Sequence, residues 1–296
     1  MIDILFLGTG CMQPTKQRNH AAILLRFNKE NLLFDCGEGT QRQMRIAGFK
    51  PAKITRLFIS HWHGDHVFGI PGLLSSMGAD QFTEKLEIYG PKGSKKYLSN
   101  LFKSFAAKDI IPYEVHEISS GKIFDNEEFM VEAYPLKHSV PCMGYSFIEK
   151  ERRRINVAKA KKLSLEGPIL GKLQKGKSVV VNGIKIESEE VTYLVPAKKI
   201  SYVTDTTECD GANTLAKDAD LLILEGTLLD ELEENAIKSK HLTVKQAAII
   251  ASENNAKKLI LTHISQRYKN SSEIIDEAKN YFDNTVVAED FMKLKI

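Results

Sequence analysis

Short apolar runs punctuate the chain at residues 2–7, 22–27, 32–35, 56–60, 86–89, 129–134, 144–148, 200–205, 221–225 and 259–263. Each is rich in Ile, Leu, Val or Phe and too short for an ordinary helix, so each predicts a strand. Helical spacing appears between several of them, at 40–47, 94–105, 243–253 and 271–282, with Thr243, Ser271 and Ser272 as candidate N-caps. Strands that alternate with helices, mixed with strands that follow one another directly, predict an α/β fold whose sheets are covered by helices on their outer faces. No internal repeat is evident.

One stretch breaks the pattern. Residues 149–177 hold Lys150, Arg152, Arg153, Arg154, Lys159, Lys161, Lys162, Lys172, Lys175 and Lys177 against few acids, and Gly167 and Pro168 divide the stretch. With few large apolar residues it predicts an insertion that projects from the domain, helical before Gly167 and without much core of its own. The net charge of the whole chain is only +3, so this segment concentrates the basic character and leaves the rest near neutral. That asymmetry favours contact with RNA over a merely solvated face.

Composition excludes some classes. Hydrophobic residues make up 43% and charged residues 27%, which is globular and too apolar for disorder. The four cysteines, Cys11, Cys36, Cys142 and Cys209, form no CxxC pair and predict reduced thiols in a cytoplasmic protein. The N-terminus reads as a first strand and not as a signal peptide, and no apolar stretch approaches the roughly 20 residues of a membrane span.

The chemistry gathers after the run at 56–60. There the chain reads His61-Trp62-His63-Gly64-Asp65-His66. Residues two apart on an extended segment face the same side, so His61 and His63 can reach one metal. Gly64 permits a tight turn, after which Asp65 and His66 can serve a second ion. Imidazole and carboxylate are the usual ligands of catalytic zinc. His138, Asp205 and His263 also lie just past apolar strands, where open sheets present functional loops. Of the eight histidines, only His20 and His116 fall outside this scheme once His241 is counted with it. Two metal ions and hydrolysis are the expected chemistry.

The HxHxDH pattern at 61–66 resembles the metallo-β-lactamase superfamily, and four further motifs resemble the short-form ribonuclease Z branch. These are FLGTG at 6–10, PTKQRN at 14–19, FDCGEGTQ at 34–41 and THISQRY at 262–268. The resemblance spans the chain and implies a four-layer αββα sandwich of two mixed sheets with a protruding basic arm. In domain terms, residues 1–296 would form a single metallo-β-lactamase domain with an inserted tRNA-binding arm at 149–177. The implied activity is a zinc-dependent endoribonuclease that removes the 3′ trailer of precursor tRNA, leaving a 3′-hydroxyl on the tRNA and a 5′-phosphate on the trailer.

Residue by residue, the resemblance implies one zinc held by His61, His63 and His138 and a second held by Asp65, His66 and His263, with Asp205 bridging. Asp65 would also accept the proton of the attacking water, and His241, in KHLT at 240–243, would assist the leaving oxygen. RNA contacts would come from Lys16 and Arg18 and, in the arm, from Arg152, Arg153, Arg154, Lys159, Lys161, Lys162, Gly167, Pro168, Lys172 and Lys175. A homodimer is implied, the arm of one subunit clamping tRNA for the site of the other. Asp35 and Glu225 are candidates to orient ligand imidazoles. The chain departs from the family pattern at Leu242, Gly226 and Thr207, beside the expected RNA 3′ end.

Three other readings compete: a small-substrate phosphodiesterase or arylsulfatase relative, a silent RNA-binding scaffold, and a thiolesterase of the glyoxalase II type. A small substrate needs no distant clamp, and a silent relative would have lost a ligand, yet all seven positions are filled.

Overall fold

The computed structural model describes residues 1–106 and 111–296. Its strands, numbered in chain order, begin with β1 (Ile2–Gly8), β2 (Ala22–Phe27), β3 (Glu30–Phe34), β4 (Arg56–Phe58), β5 (Leu86–Pro91) and β6 (Tyr113–Ile118). There follow β7 (Gly121–Asp125), β8 (Phe129–Leu136) and β9 (Cys142–Glu149). An excursion carries β10 (Arg152–Ile155), β11 (Val179–Val181), β12 (Ile184–Ile186) and β13 (Thr192–Val195). The chain then returns through β14 (Lys198–Val203), β15 (Leu221–Glu225), β16 (Leu259–Thr262), β17 (Thr285–Val287) and β18 (Lys293–Lys295).

Two seven-stranded sheets result, in the orders β18-β1-β2-β3-β4-β5-β6 and β17-β16-β15-β14-β9-β8-β7. Each is mixed. In the first, β3 to β6 run parallel and the rest antiparallel; in the second, β14 to β17 run parallel while β14, β9, β8 and β7 alternate. The period of two decides how these strands are buried. Ile2, Ile4 and Phe6 of β1 enter a core shared with Phe129, Phe147, Tyr202 and Ile223 of the other sheet. Leu5 and Leu7 point the opposite way, into a second core under the helices Thr40–Ile46, Ile70–Ala79 and Ser94–Lys103. The outer face of the second sheet buries Leu222, Leu224 and Leu261 against the helices Asp210–Ala216, Val244–Glu253 and Ser272–Lys279. This is the αββα sandwich expected from sequence.

Two sequence expectations need revision. Thr243 caps its helix through a capping box with Gln246, but Ser271 makes no side-chain cap bond. The larger change is the arm. It is not a bare basic segment ending at 177, because the excursion continues to β13, which pairs antiparallel with β10, while β11 and β12 form a hairpin. It also has its own core, built on Ala160, Leu165, Leu173, Val179, Ile186 and Val191. The missing apolar residues lie beyond 177, in short runs that alone look like loop. Gly167, at φ 66°, and Pro168 start the helix Pro168–Gln174, where proline's lost N–H costs nothing.

Candidate metal centre

The parallel strands of both sheets end at one edge of the sandwich, and the site is assembled from the residues just beyond them. Three of these positions have left-handed backbone: Asp35 after β3 at φ 56°, Asp205 after β14 at φ 52° and His263 after β16 at φ 58°. Such conformations cost energy for residues other than glycine and cluster where geometry serves function.

Two sets of ligand atoms converge there. His61 Nε2 lies 3.0 Å from His63 Nδ1, and His138 Nε2 lies 3.2 Å from that same atom. Asp205 Oδ2 faces this set, 3.5 Å from His61 and 3.8 Å from His138. In the second set, His66 Nε2 and His263 Nε2 are 3.3 Å apart, and Asp65 Oδ2 is 3.5 Å from each. Asp205 Oδ1 faces this set at 3.4 and 3.2 Å. The two oxygens of one carboxylate therefore address the two sets.

Hydrogen bonds on the far side of each ring decide which nitrogen carries the lone pair. His138 Nδ1–H donates to the carbonyl of Lys240 at 3.1 Å, and His66 Nδ1–H donates to Asp35 at 2.8 Å. The Ser60 hydroxyl donates to Asp35 at 2.8 Å, so its oxygen can accept from His61 Nδ1–H at 3.0 Å. The Thr227 hydroxyl donates to Glu225 at 2.6 Å and can accept from His263 Nδ1–H at 3.0 Å. Four imidazoles thus turn an unprotonated nitrogen inward, toward two carboxylates. That donor set fits divalent cations such as zinc.

Charge agrees with that fit. Burial opposes ionisation of Asp65, but His66 and His263 overcome it and hold the carboxyl far below its usual range. Burial opposes it for Asp205 too, and the surrounding histidines, His263 first, prevail. His61 is kept neutral chiefly by burial and then by neighbouring His66.

Two buried carboxylates organise this edge. Asp35 accepts from Ser60 N at 2.7 Å and from the Tyr202 hydroxyl at 2.8 Å, besides Ser60 Oγ and His66. Its neighbours account for the FDCGEGTQ run. A Cβ at Gly37 would clash with the Asp65 carbonyl, and one at Gly69 with the Gly37 carbonyl. Close backbone approach is what locks this run against the metal loop. Glu225, the second carboxylate, accepts from Thr206 N at 2.6 Å and from His241 Nδ1–H at 3.0 Å. Burial disfavours the charged imidazole of His241, yet Glu225 outweighs it and raises the group to about 9. The ring of His241 packs on those of His138 and His263, with centroids 5.4 and 5.3 Å away.

All seven expected ligands and His241 are therefore brought together, and both expected orienting acids are in place. Ser60, Tyr202 and Thr227 were missed. Ser60 is adjacent to His61, but Tyr202 reads in sequence as an ordinary core aromatic. His20 and His116 lie outside, bonded to the Met12 carbonyl and to Glu87. The departures also have local reasons. Leu242 is fully buried in the outer core, and a Cβ at Gly226 would press 2.9 Å from Leu261.

The proposed RNA-binding residues divide. Lys16 is exposed, but the Arg18 guanidinium is engaged internally, donating to Thr9 at 2.7 Å, Ala288 O at 2.5 Å and Ser271 at 3.1 Å. In the arm, Arg152 pairs with Glu149 and Arg153 with Glu189 at 2.8 and 2.7 Å. Arg154, Lys159, Lys161, Lys162, Gly167, Pro168, Lys172 and Lys175 are exposed.

Fold and site together define the metallo-β-lactamase architecture. A family model for the Anti-Pycsar protein Apyc1 matches residues 2–155, and one for the Beta-lactamase superfamily domain matches 177–264. The first range takes in His61, His63, Asp65, His66 and His138, the second Asp205, His241 and His263. The chain is 42% identical to Ribonuclease Z of Methanothermobacter thermautotrophicus, over 100% of this chain and 97% of that protein. It superposes on human tRNase Z, short form, with a TM-score of 0.73 and 31% identity, covering 99% of both chains. The metallo-beta-lactamase fold protein YhfI from Bacillus subtilis shares the fold at 19% identity and a TM-score of 0.71, over 99% of this chain and 98% of that one. The chain belongs to the ribonuclease Z family, the tRNA 3′-processing endoribonucleases.

Proposed function

We propose that this chain removes the 3′ trailer from precursor tRNA by hydrolysing one phosphodiester, with two zinc ions per subunit, leaving a 3′-hydroxyl on the tRNA and a 5′-phosphate on the trailer. The observation that carries this reading is the bifacial Asp205, whose two oxygens address two separate sets of imidazole and carboxylate atoms in a ribonuclease Z chain. His61, His63 and His138 would hold one ion, Asp65, His66 and His263 the other, with Asp205 shared. Bound zinc supplies Lewis acidity to the phosphoryl oxygens and makes water a nucleophile near neutral pH.

The chain's own residues handle the protons. The ionised Asp65 accepts one from the attacking water. His241, tied to Glu225 through Nδ1, has Nε2 available for the departing ribose 3′-oxygen. A positioned acid contributes on the order of 10²–10⁴-fold with so poor a leaving group. Beside His241 a cleft of about 350 Å³, lined by Lys137, Thr207, Lys240 and Gln246, has room for the 3′-terminal nucleotide of the tRNA.

The arm at 150–197 is the tRNA exosite. It leaves from Glu149 and returns at Lys198, which pair at one end of the β9–β14 ladder, whereas Cys142 and Asp205 mark the metal end. Seven steps along β9 at about 3.3 Å each separate the two ends by roughly 23 Å. The family resemblance implies a homodimer in which this arm serves the partner's site, and a root at the far end of the ladder from the metals is compatible with that. Four free cysteines agree with a cytoplasmic setting. No described helix is long and apolar enough to cross a membrane.

The deciding experiment maps both ends produced from a precursor tRNA and measures metal in the same preparation. A 3′-hydroxyl, a 5′-phosphate and two zinc ions per chain are expected. A 2′,3′-cyclic phosphate would overturn the mechanism.

A further inference from the structure

Trp62 stands between two ligand histidines yet takes no part in the metal centre. Because His61 and His63 face inward, the residue between them projects to the other side of the loop. There its ring stacks on Tyr97, centroids 5.4 Å apart and 25° between planes, while its indole N–H donates to the buried Ser94 hydroxyl at 2.8 Å. That bond fixes the indole to the first turn of the helix Ser94–Lys103. Tyr97 on this turn remains 49% exposed, and Phe68, whose ring covers Gly64 on the same loop, is 60% exposed. Lys92, Lys95 and Lys96 lie within five residues of Tyr97 in the chain and are exposed. Glu117 beside them is committed to the backbone N–H groups of Gly93 and Lys95, at 3.1 and 3.0 Å.

Open aromatic faces among cations, continuous with a hydrolytic site, are the surface on which single-stranded nucleic acid binds. Bases stack on the rings and phosphates meet the lysines, without demand for sequence. Position selects which strand. His241, which meets the departing 3′-oxygen, packs on His138 at 5.4 Å, and His138 packs on His63 at 5.0 Å. Trp62, next to His63 in the chain, instead packs on Tyr97 and Ser94 of the helix Ser94–Lys103, apart from the His241, His138 and His263 rings. We propose that Trp62, Tyr97 and Phe68, with Lys92, Lys95 and Lys96, form a platform for the single-stranded trailer that continues 3′ of the scissile phosphate. This rests on the tRNA-processing reading above, and Tyr97 acts in it as a positioning residue.

Trp62 is the chain's only tryptophan, so its fluorescence reports on the platform without reference to activity. Titration of the zinc-loaded protein with a ten-nucleotide oligoadenylate is expected to quench it, and Tyr97→Ala to weaken the apparent affinity about tenfold. In cleavage assays Tyr97→Ala, and separately the Lys92/Lys95/Lys96→Gln triple variant, should raise KM about tenfold for a precursor with a trailer of about ten nucleotides. Both should leave kcat within about twofold and spare a precursor with a one-nucleotide trailer. Equal effects on both precursors, or none on either, would overturn the platform. Quenching by the oligonucleotide with no cleavage of precursor tRNA by the wild type would instead overturn the tRNA-processing reading and keep the platform as a single-strand site.

Discussion

Around Asp205 most of the imidazoles and carboxylates are buried, and His61, His66, His138 and His263 each bond a partner on the far side of the ring, whereas at 152–195 a small apolar core carries charged side chains outward into solvent. The first region gathers neighbouring ligand atoms 3.0 to 3.8 Å from one another, the defined geometry that in-line displacement demands. The second offers cations on flexible stems, which suits phosphates read by shape. Chemistry and grip thus use opposite degrees of order, at opposite ends of the β9–β14 ladder. Each should fail in its own way.

The largest effect is expected from Asp65→Ala, which should reduce precursor-tRNA cleavage by at least about 10³-fold while tRNA affinity in a filter-binding assay stays near normal. A normal cleavage rate would refute the mechanism. Next is His241→Gln, expected to lower kcat by about 10²–10³-fold with unchanged zinc content by atomic absorption. Loss of metal along with activity would make His241 a ligand.

Asp35→Asn tests the support beneath the ligands. Asparagine tolerates the left-handed backbone, so the change isolates the charge that binds His66, Ser60 and Tyr202. Zinc affinity should fall about 10–100-fold in a chelator competition. Activity at saturating zinc should largely recover.

The grip is tested by replacing 150–197 with a two-residue Asn-Gly turn. KM for precursor tRNA should rise at least about tenfold with hydrolysis of a small phosphodiester unchanged; equal loss on both would make the arm structural. The mildest change is Lys159/Lys161/Lys162→Gln. For every phosphate that these lysines neutralise in the wild type, the slope of log K against log salt should flatten by about 0.7–0.9 in the variant.

The same contrast governs what could be read in the sequence. The metal end was legible because its rules are local: a period of two sets His61 beside His63, and strand-end positions place His138, Asp205 and His263. The orienting hydroxyls were harder. Tyr202 looks like core in any strand pattern, and its contact with Asp35 depends on two sheets meeting, 167 positions apart in the chain. The arm failed for another reason. Its core joins Ala160 and Leu173 to Val179, Ile186 and Val191; only Val179–Val181 and Ile184–Ile186 around Asn182-Gly183 carry a local hairpin signal, and the remaining core residues are single apolar positions brought together when the hairpin and the β10–β13 pair close.

The point where the arm joins the body has a consequence for how such enzymes diversify. Entry and exit share one rung of the ladder, Glu149 opposite Lys198, so the body sees only a hairpin there, whatever lies between. Insertions at that rung can grow, shrink or be exchanged without shifting the strand register that sets the metal edge. The rung is in effect a socket, and a different RNA-holding module fitted to it would redirect an unchanged catalyst.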